Sequence, residues 1–389
     1  MRVRVVAYSA MPRGGAMHAR RLAEELARRG HEVELWALTL EGAGIAVGPQ
    51  VSTHQVAAAW VPGEEPGQRV ARCSDVLAAA LRSAPPVDVN HAEDMLSTRA
   101  LLALRAEGMV PHVIRTVHHT EVFEDTFLDD CQRASIQDVD RCITVTGWWA
   151  DRLAQEYGVR CDVVPNGVDA ERFSAPGLSR ADAGRRMGWG DRPVVLAVGG
   201  VQPRKGSRTL LEAFARARGR LPEGALLVIA GGDGIYRTDE HEAAWRDDAA
   251  RLGLRVQDGP GAVGDVDVAR IGVVDDDDMA VLYRASEVLA FPSTREGFGL
   301  VVLEAAASGL PVVVSDLPVF GEFMQDGRDC LMAAVGDSGA LADALVRAVN
   351  DPRLRGTLVE QGQATAARFS WAATAERTEQ VYRAFLAGD

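Results

Sequence analysis

Two glutamates in the second half of the chain have the spacing and surroundings of a ligand site. The stretch from residue 293 to residue 316 reads "STREGFGLVVLEAAASGLPVVVSD", with Glu296 in a glycine-bounded turn and Glu304 in a nearly uncharged run. Gly297 and Gly299 let the backbone approach a ligand closely. A carboxylate buried in such a run needs a partner, which a ligand hydroxyl could provide. The plain alternatives are a helix-start carboxylate for Glu296 and a surface position for Glu304.

Two glycine loops could bind an anion. The loops "PRGGAMH" and "GGVQPRKGS" each lie between a predicted strand and a predicted helix, where free amides and the helix dipole favour a phosphate. In the first loop, Gly15 and its neighbour Gly14 could instead form a tight turn with positive φ. In the second loop, Arg204 and Lys205 supply two adjacent cations for a diphosphate, with a solvated surface pair as the alternative. Neither loop matches the nucleoside triphosphatase signature or the dinucleotide fingerprint.

A run of four aspartates, residues 275 to 278, has the composition of a metal site. It comes directly before "MAVLYRAS", which has the spacing of a helix. Aspartates at this position are typical of an N-cap and a first helical turn, where they stabilise the helix dipole. We therefore predict that they cap the helix and that the chain has no metal site.

Composition and charge narrow the class of protein. At 389 residues the chain is long enough for two domains, each with its own core. It is 47% apolar, 25% charged and 6% aromatic, which is ordinary for a soluble globular protein. A net charge of −13 has the wrong sign for a broad nucleic-acid surface, so any anion site must be local. The five cysteines lack a Cys-x-x-Cys pair, and no signal peptide or membrane span is evident, so we predict a reduced, cytoplasmic protein.

The first lobe is predicted to be a parallel α/β domain. Its opening reads as a strand "VRVVAY", a glycine loop, an amphipathic helix and a second strand "HEVELWAL". Glu24 is predicted to pair with Arg28 on the solvent face of that helix. Glu25 is predicted to pair with Arg29 in the same way. A βαβ unit implies a parallel sheet covered by helices, and because the pattern repeats we place a doubly wound domain at residues 1–172.

A second lobe of the same kind is predicted at residues 173–369. Residues 173–192 lose the strand pattern and gain glycine, proline and polar residues, which is typical of a connection between domains. Buried strands then recur in "PVVLAVGG", "ALLVIAGG", "DVARIGVV", "EVLAFPS" and "LPVVVSD". The last helix, "WAATAERTEQVYRAF", could close the second lobe or return to the first. Doubly wound lobes bind ligands at the carboxyl ends of their strands, so the sequence predicts a cleft there.

Together these stretches resemble the GT-B glycosyltransferases of family 4. The resemblance is strongest from "EVLAFPS" through "EGFGLVVLEAAASGLPVVVSD", where seven residues separate the two glutamates. It extends over nearly the whole chain through "RGHEVELWA", "RTVHH", "ITVT", "VPNGVD", "LLVIAGGDG" and the glycine loops. The resemblance implies two Rossmann-like domains facing a central cleft, with a C-terminal helix at residues 370–389 that crosses back to the first domain. It also implies a retaining enzyme that uses a nucleoside diphosphate sugar and needs no metal.

The resemblance also implies roles for individual residues. Glu304 would hydrogen-bond the nucleotide ribose, and Glu296 would contact hydroxyls of the donor sugar. Lys205 would bind the diphosphate together with the amides of Leu300 and Val301, and His118 would line the donor sugar and the acceptor. His118, Lys205 and Glu296 are therefore the candidate catalytic residues. The candidate donor-binding residues are Gly15, Arg204, Lys205, Glu296, Gly297, Phe298, Gly299, Leu300, Val301 and Glu304.

Three positions depart from the family pattern. The family arginine that binds the diphosphate is replaced by Gly200, and Arg204 is the candidate substitute. The family histidine is usually followed by aspartate, whereas His119 follows His118 here, and the register favours His118 as the residue that faces the cleft. Residues 236–270 form a longer segment than usual, which indicates an inserted loop or a helix extension.

Two other functions are compatible with the sequence. Sugar-nucleotide 2-epimerases share the two-lobed architecture, although the glutamate pair favours transfer. The missing arginine at Gly200 favours a non-catalytic sugar-nucleotide-binding protein, which the other site residues disfavour. The sequence thus predicts a hexosyltransferase whose partners are a nucleotide sugar and an acceptor that the sequence does not specify. No nucleic acid partner and no transmembrane segment are expected.

Overall fold

The computed structural model describes residues 1–9, 14–39, 47–59, 61–174, 177–232 and 239–388. The chain divides into two compact units. The first comprises Met1–Gly167 together with the C-terminal residues from Ser370 on, and the second comprises Val168–Phe369. Among the described helices, none has both the length and the apolar composition that a membrane span requires.

The first unit is built on a parallel sheet whose strands alternate with helices. Its described strands are β1 (Arg2–Ala7), β2 (Glu32–Thr39), β3 (Val51–Ala57), β4 (Val89–Ala92), β5 (Ile114–Val117), β6 (Arg141–Thr144) and β7 (Cys161–Val163). The helices among them are α1 (Gly14–Arg28), α2 (Pro66–Leu81), α3 (Met95–Ala106), α4 (Thr126–Gln137) and α5 (Gly147–Tyr157). The strand order is β3-β2-β1-β4-β5-β6-β7, so the direction of winding reverses between β1 and β4.

The second unit repeats this plan. Its described strands are β8 (Val194–Val198), β9 (Leu226–Ala230), β10 (Val256–Asp258), β11 (Val268–Gly272), β12 (Val288–Phe291), β13 (Val312–Ser315) and β14 (Leu331–Ala333). Its described helices are α6 (Ala170–Ser174), α7 (Arg180–Met187), α8 (Ser207–Ala217), α9 (Asp239–Arg251), α10 (Met279–Arg284), α11 (Leu300–Ala307), α12 (Pro318–Gly321), α13 (Ser338–Asn350) and α14 (Pro352–Ala366). The strand order is β10-β11-β9-β8-β12-β13-β14, and the winding reverses between β8 and β12.

The core of the first unit lies on both faces of its sheet. Val3 and Val5 of β1 pack in one cluster with residues of α1, whereas Val6, on the opposite face of the strand, packs with residues of α2 and α3. In the second unit, Val195 of β8 packs with residues of α8 and α13. The predicted class, α/β with two Rossmann-like doubly wound units, is therefore confirmed.

The last helix, α15 (Trp371–Ala387), belongs to the first unit. Its Glu379 accepts a hydrogen bond at 2.7 Å from Nε of Arg29, the residue directly after α1. The hydroxyl of Tyr382, in the same helix, contacts Nδ1 of His91 in β4. The chain thus returns to the first unit after it has completed the second.

The segment predicted as a connection, residues 173–192, is part of the second unit. Apart from residues 175 and 176, which lie outside the described residues, it contains α7, whose N-cap is the side chain of Ser179. Trp189 is buried, and its indole N–H donates to the backbone oxygen of Ala285 at 3.3 Å. The linker prediction was wrong because a capped, half-exposed helix contains the same glycine and polar residues as a linker.

The boundary between the units falls after Gly167, whereas the sequence placed it at residue 172. The reason is α6, which packs against α11 of the second unit. Its Arg172 also donates a hydrogen bond to Oδ2 of Asp276 at 2.9 Å. The short helix after Gly167 is therefore held by the second unit.

The ion pairs of α1 differ from those predicted. Arg28 pairs with Glu25 one turn earlier, and Arg29 pairs with Glu379 of α15. Glu24, which was expected to face solvent, is buried. The prediction was wrong because the periodicity of one helix does not show which of its faces another helix covers.

The long segment at residues 236–270 consists largely of regular elements. Residues 236–238 lie outside the described residues. Residues 239–251 form α9, Val256–Asp258 form the edge strand β10 and residues 268–270 begin β11, with loops at 252–255 and 259–267. Trp245 of α9 is fully buried in the core of the second unit. The segment therefore adds a helix and an edge strand to the doubly wound unit, joined by loops.

Candidate active site

The second unit brings two loops together at the point where its strand order reverses. β8 and β12 are neighbouring parallel strands, and each is followed by a loop and a helix, α8 or α11. Ligands of doubly wound sheets bind at such reversal points, outside the carboxyl ends of the strands. The first loop carries Arg204 and Lys205, and the second carries Glu296 and Gly297. The structure thus brings together candidate residues that are distant in the sequence.

Glu296 is held by two cations. Lys205 Nζ donates a hydrogen bond to Oε1 of Glu296 at 2.7 Å, and Nη1 of Arg204 lies 3.3 Å from the same oxygen. Nζ of Lys205 also lies 4.5 Å from the ring centroid of Phe291, which is close enough for a cation–π contact. Because two cations surround one carboxylate, the group retains positive charge.

The titration of this group is set by burial and by its charges. Burial alone would raise the pKa of Glu296, but the charges of Lys205 and Arg204 lower it to about 2. Burial lowers the pKa of Lys205, and the charge of Glu296 opposes this shift. Glu296 is therefore ionised at neutral pH.

Glycines determine the shape of the loop after β8. Gly206 has a φ of 62°, and a Cβ atom there would lie 2.0 Å from the backbone oxygen of Pro292. Gly200 has a φ of 72°, and a Cβ atom there would lie 2.4 Å from the backbone oxygen of Gly232. Both positions exclude a side chain in this conformation. An arginine at Gly200 is incompatible with this loop, and Arg204 is the cation that accompanies Lys205.

Glu304 has a protein partner. The hydroxyl of Tyr283 in α10 donates a hydrogen bond to Oε2 of Glu304 at 2.7 Å. Burial raises the pKa of Tyr283 well above its ordinary value, and the charge of Glu304 adds to this shift, so the phenol keeps its proton. The sequence suggested a ligand hydroxyl as the partner of Glu304, whereas the structure also supplies a phenol that fixes the carboxylate in place.

The turn between the two glutamates begins α11. Gly299 is the N-cap of this helix with a φ of 96°, and a Cβ atom there would lie 2.7 Å from an aromatic ring carbon. Leu300 and Val301 form the first turn, whose amides have no acceptor within their own helix. The ring of Phe298 is buried and stacks on Phe323 at 5.0 Å between centroids. Phe298 therefore belongs to the core, and only its backbone is available to a ligand.

A second group of candidate residues lies where the strand order of the first unit reverses. Glu93 follows β4, His118 follows β5, and both Gly15 and His18 lie near the start of α1. A Cβ atom at Gly15 would lie 3.7 Å from the ring of His118. Oε2 of Glu93 lies 2.8 Å from Nδ1 of His18 and 3.0 Å from Nε2 of His118. The structure therefore places His118 beside Gly15 and joins it to two residues that the sequence analysis did not select.

Gly14 and Gly15 are the first residues of α1. The alternative in which they form a tight turn with positive φ is therefore wrong. The preceding residues of this loop, 10–13, lie outside the described residues.

Burial and charge favour a neutral imidazole beside an ionised carboxylate in this group. Burial alone would raise the pKa of Glu93, but His18 and His118 hold it well below its usual range. Burial lowers the pKa of His118, and its hydrogen bond to Glu93 offsets this only in part. His119 instead pairs with Glu121 at 3.1 Å. Of the two adjacent histidines, His118 is the one that joins this group.

Three described side chains have the composition of a metal site. The ligand atoms of His18, Glu93 and His118 lie within 4.8 Å of one another. Two imidazoles and a carboxylate suit zinc and other transition metals. The same atoms are also joined by hydrogen bonds of 2.8 Å and 3.0 Å, so the group is held together without an ion.

The four aspartates before α10 were predicted to cap this helix, but the structure does not confirm capping by their side chains. Within the described residues, neither Asp275 nor Asp278 makes a side-chain capping hydrogen bond. Asp276 pairs with Arg172, and Asp278 pairs with Arg186. The run does lie at the start of a helix, but arginines from other segments compete for its carboxylates.

The sequence analysis missed three residues that contact the candidates: His18, Glu93 and Tyr283. Two of them carried a signal. Glu93 is an acid directly after the buried strand β4, and His18 lies on the buried face of the amphipathic helix α1. Such positions are unfavourable for polar side chains unless a partner is present. The contact of Tyr283 with Glu304 carried no local signal, because it joins two helices.

Comparisons with known proteins agree with this architecture. A family model described as "Glycosyltransferase Family 4" matches residues 12–172, and one described as "Glycosyl transferases group 1" matches residues 192–351. A D-inositol 3-phosphate glycosyltransferase of Nocardia farcinica is 31% identical over 403 residues, which cover 96% of this chain and 85% of that protein. Its counterpart in Actinosynnema mirum is 32% identical over 390 residues, which cover 92% and 89%.

Solved structures show the same fold. Sucrose-phosphate synthase from Thermosynechococcus elongatus superposes with a TM-score of 0.80 at 23% identity, covering 100% of both chains. Anabaena HepE in complex with UDP and glucose superposes with a TM-score of 0.75 at 18% identity, covering 99% of this chain and 100% of that one. The two Rossmann-like units and these structural neighbours show that the chain has the GT-B fold of glycosyltransferases. Within that class, the chain belongs to the glycosyltransferase family 4, group 1 proteins.

Proposed function

We propose that the protein is a retaining hexosyltransferase, which moves a hexosyl group from a nucleoside diphosphate sugar to a hydroxyl of an acceptor without a metal. One observation carries this proposal. Lys205 and Arg204 lie around the carboxylate of Glu296, next to the loop that begins α11. This is a local anion site in a chain of net charge −13.

The diphosphate is the part of the donor that this site suits. Two cations remain in excess over one carboxylate, and burial strengthens their interaction with an anion. Lys205 is a compact point charge, and Arg204 offers several donors in a fixed plane. The amides of Leu300 and Val301, at the start of α11, add donors at the positive end of a helix dipole. We assign these four groups to the diphosphate.

The two glutamates suit the hydroxyl groups of the donor. Glu304 would accept from the ribose, and its contact with Tyr283 at 2.7 Å supports a fixed orientation. Glu296 would accept from the donor sugar while its position is kept by Lys205. Carboxylates that receive hydroxyl hydrogen bonds make strong, directional contacts. The glutamates would thus bind opposite ends of one ligand.

The proposed chemistry needs no acid–base pair of carboxylates. The acceptor oxygen forms a bond to the anomeric carbon while the bond from that carbon to the diphosphate oxygen breaks. The acceptor proton passes to the departing diphosphate on the same face, which retains the anomeric configuration. Lys205 and Arg204 stabilise the charge that grows on the leaving group. We assign His118 to a hydrogen bond with the sugar or the acceptor.

The first acceptor to test is inositol 3-phosphate, because the curated relatives carry the name of that activity. The assay measures release of the nucleoside diphosphate from UDP-, GDP- and ADP-linked hexoses. Each donor is tested with and without this acceptor, and with and without EDTA. We expect release that depends on one donor and on the acceptor, with no effect of EDTA, and a product with the anomeric configuration of the donor by NMR.

The same experiment separates the alternatives. An epimerase would convert the donor to an isomer of its sugar without any acceptor. A non-catalytic binding protein would bind a nucleotide sugar and turn over none. Either result would contradict the proposed transfer, as would a product of inverted configuration.

A further inference from the structure

The carboxylate of Glu93 joins two imidazoles through one oxygen. Its Oε2 lies 2.8 Å from Nδ1 of His18 and 3.0 Å from Nε2 of His118. The side chain of Glu93 is 1% exposed. An ionised carboxylate has no proton to donate, so both ring nitrogens must donate theirs to it. Hydrogen bonds of this kind to a charged acceptor are stronger than neutral ones.

This contact determines which nitrogen of His118 is available to a ligand. A neutral imidazole carries one proton, and in His118 the nitrogen that donates to Glu93 is Nε2. Nδ1 therefore carries the lone pair. The side chain of His118 is 16% exposed, so the ring keeps an edge that a ligand can reach. Nδ1 can then accept a hydrogen bond from a sugar or acceptor hydroxyl.

The nearby His91 does not compete with His18 and His118 for the carboxylate of Glu93. His91, the closest other imidazole, has both ring nitrogens in contact with other side chains. Its Nε2 lies 3.9 Å from Oε1 of Glu93, which is too far for a hydrogen bond. In the described part of the chain Oε1 has no hydrogen-bond partner. The hydrogen bonds that Glu93 accepts here therefore come from His18 and His118.

We propose that Glu93 is a positioning residue for His118 and that His18 fixes the carboxylate from the other side. This inference rests on the proposed function, in which His118 contacts the sugar or the acceptor. Glu93 itself touches no ligand. It fixes the tautomer and the rotation of the imidazole, so that Nδ1 faces the ligand as an acceptor. Buried carboxylates that hold a histidine in one tautomer have this effect in other enzymes.

The most direct test reads the proton positions of His118 in the full-length protein. Proton–nitrogen correlation spectra of the imidazoles, assigned with His118→Gln, report which ring nitrogen is protonated. In the wild type we expect the proton on Nε2 and the lone pair on Nδ1. In Glu93→Gln we expect a mixture of the two tautomers, because the amide can both donate and accept. A wild-type ring with its proton on Nδ1 would overturn the proposal.

The kinetic test uses a matched pair of variants. In Glu93→Gln we expect kcat to fall about 100-fold, which is typical for loss of a positioned acid–base or hydrogen-bonding group. The donor KM should stay unchanged, because the residues assigned to the diphosphate belong to the second unit. Glu121→Gln alters a carboxylate with the same kind of contact, to His119 at 3.1 Å, and should keep wild-type activity. A Glu93→Gln variant with wild-type kcat would overturn the proposal.

Failure of the proposed function would look different. If the wild type transfers no sugar, the proposed function fails, while the spectra of the wild-type ring still decide the role of Glu93. The same spectra decide it if Glu93→Gln does not fold. One bound metal ion per wild-type chain that Glu93→Gln loses would also overturn the proposal, because a metal and not a proton would then join these side chains.

Discussion

Each unit has one carboxylate held by two basic side chains at the same point of its sheet topology, but the basic side chains differ between the units. In the second unit Glu296 is held by Lys205 and Arg204. In the first unit Glu93 is held by two imidazoles. Both carboxylates are buried, and each lies after a strand next to the reversal of strand order. The plan is therefore common to both units, and the chemistry of the bases differs.

This difference suggests a division of labour. Arginine and lysine remain charged at neutral pH, so the group around Glu296 keeps a positive charge that suits a diphosphate. Burial lowers the pKa of His118, so the group around Glu93 offers a neutral ring beside one negative charge. A neutral imidazole suits a hydroxyl, because one ring nitrogen can accept a hydrogen bond from it. We therefore expect variants of Lys205 and Glu304 in the second unit to weaken nucleotide binding, and variants of Glu93 in the first unit to lower turnover. Glu296, assigned to the donor sugar, should also affect turnover.

The largest effect is expected for Glu296→Gln. Loss of its charge releases Lys205 and Arg204 from their shared partner and removes the acceptor assigned to the donor sugar. We expect kcat to fall by about 100- to 1000-fold, the range seen when a group that stabilises a transition state is removed. Affinity for the free nucleoside diphosphate should stay equal or rise, because one negative charge has left the anion site. Isothermal titration and steady-state kinetics measure the two quantities. Unchanged kcat would contradict the assignment.

Matched glycine substitutions compare the loops themselves. Gly206→Ala would place Cβ 2.0 Å from the backbone oxygen of Pro292 at a φ of 62°. We expect it to lower the free energy of unfolding by about 3 kcal/mol, from left-handed strain and overlap together. Among the described residues, a Cβ at Gly14 in the first turn of α1 would meet nothing within 4 Å, and we expect Gly14→Ala to raise stability by about 0.5 kcal/mol. Urea unfolding checks both. Equal destabilisation by the two variants would contradict the difference.

Glu304 and Tyr283 test the ribose end of the donor. We expect Glu304→Gln to weaken nucleoside diphosphate binding by about 1.5–3 kcal/mol, because a hydrogen bond to a charged acceptor is lost. Tyr283→Phe should weaken nucleoside diphosphate binding by about 1 kcal/mol or less, because the carboxylate of Glu304 remains and loses only one hydrogen-bond donor. Isothermal titration with the same nucleotide measures both variants. If Tyr283→Phe weakened binding more than Glu304→Gln, the assignment of Glu304 as the ribose acceptor would be wrong.

The smallest effect concerns the helix that completes the first unit. Burial opposes ionisation of Glu379, but Arg383, Arg29 and His31 lower its pKa from 4.5 to about 2. The folded state thus binds fewer protons, so this stabilisation is present above pH 4.5 and is lost as the pH falls toward 2. Because the partner arginines are partly exposed, we expect Glu379→Gln to lower the free energy of unfolding by about 1 kcal/mol at neutral pH.

Unfolding of Glu379→Gln and of the wild type at neutral and acidic pH measures this contribution. The difference in free energy of unfolding between the wild type and the variant should shrink as the pH falls below 4.5, where the wild-type carboxylate begins to be protonated in the unfolded chain. A difference that grows on acidification would show that the sign of the pKa shift is wrong.

The comparison of the units also shows what the sequence could predict. The doubly wound class followed from buried strands that alternate with amphipathic helices, since that pattern is local. Lys205, Glu296 and Glu304 could be selected because two short contiguous motifs contain them. Their mutual contacts could only be expected in outline, because they depend on which strands are neighbours in the sheet.

The first unit was harder to interpret because its contacts join separate elements. Glu93, His18 and His118 come from three segments. His118 lay in one recognised motif and His18 ended the first glycine loop, but neither motif indicated a contact with Glu93. The edge strand β3 was missed, since its alternation is weak and most of its residues are half-buried or exposed. The predicted pair of Glu25 with Arg29 was wrong because α15 returns from the end of the chain, where its Glu379 pairs with Arg29. Patterns within one element do not report contacts of this kind.

The central claim is that the second unit binds the diphosphate of the donor through Lys205. The most direct test is thermal unfolding of the wild type, Lys205→Ala and Arg220→Ala with UDP, GDP, ADP and dTDP, each with and without EDTA. Arg220 is the matched control, because it forms an exposed pair with Asp343 at 2.7 Å in the same unit. A nucleotide at about one hundred times its dissociation constant adds roughly 2.7 kcal/mol to stability.

We predict that one nucleotide raises the unfolding midpoint of the wild type and of Arg220→Ala, that EDTA does not alter the shift, and that Lys205→Ala loses it. If no nucleotide stabilises the wild type, or if Lys205→Ala keeps the full shift, the diphosphate site is not where we place it.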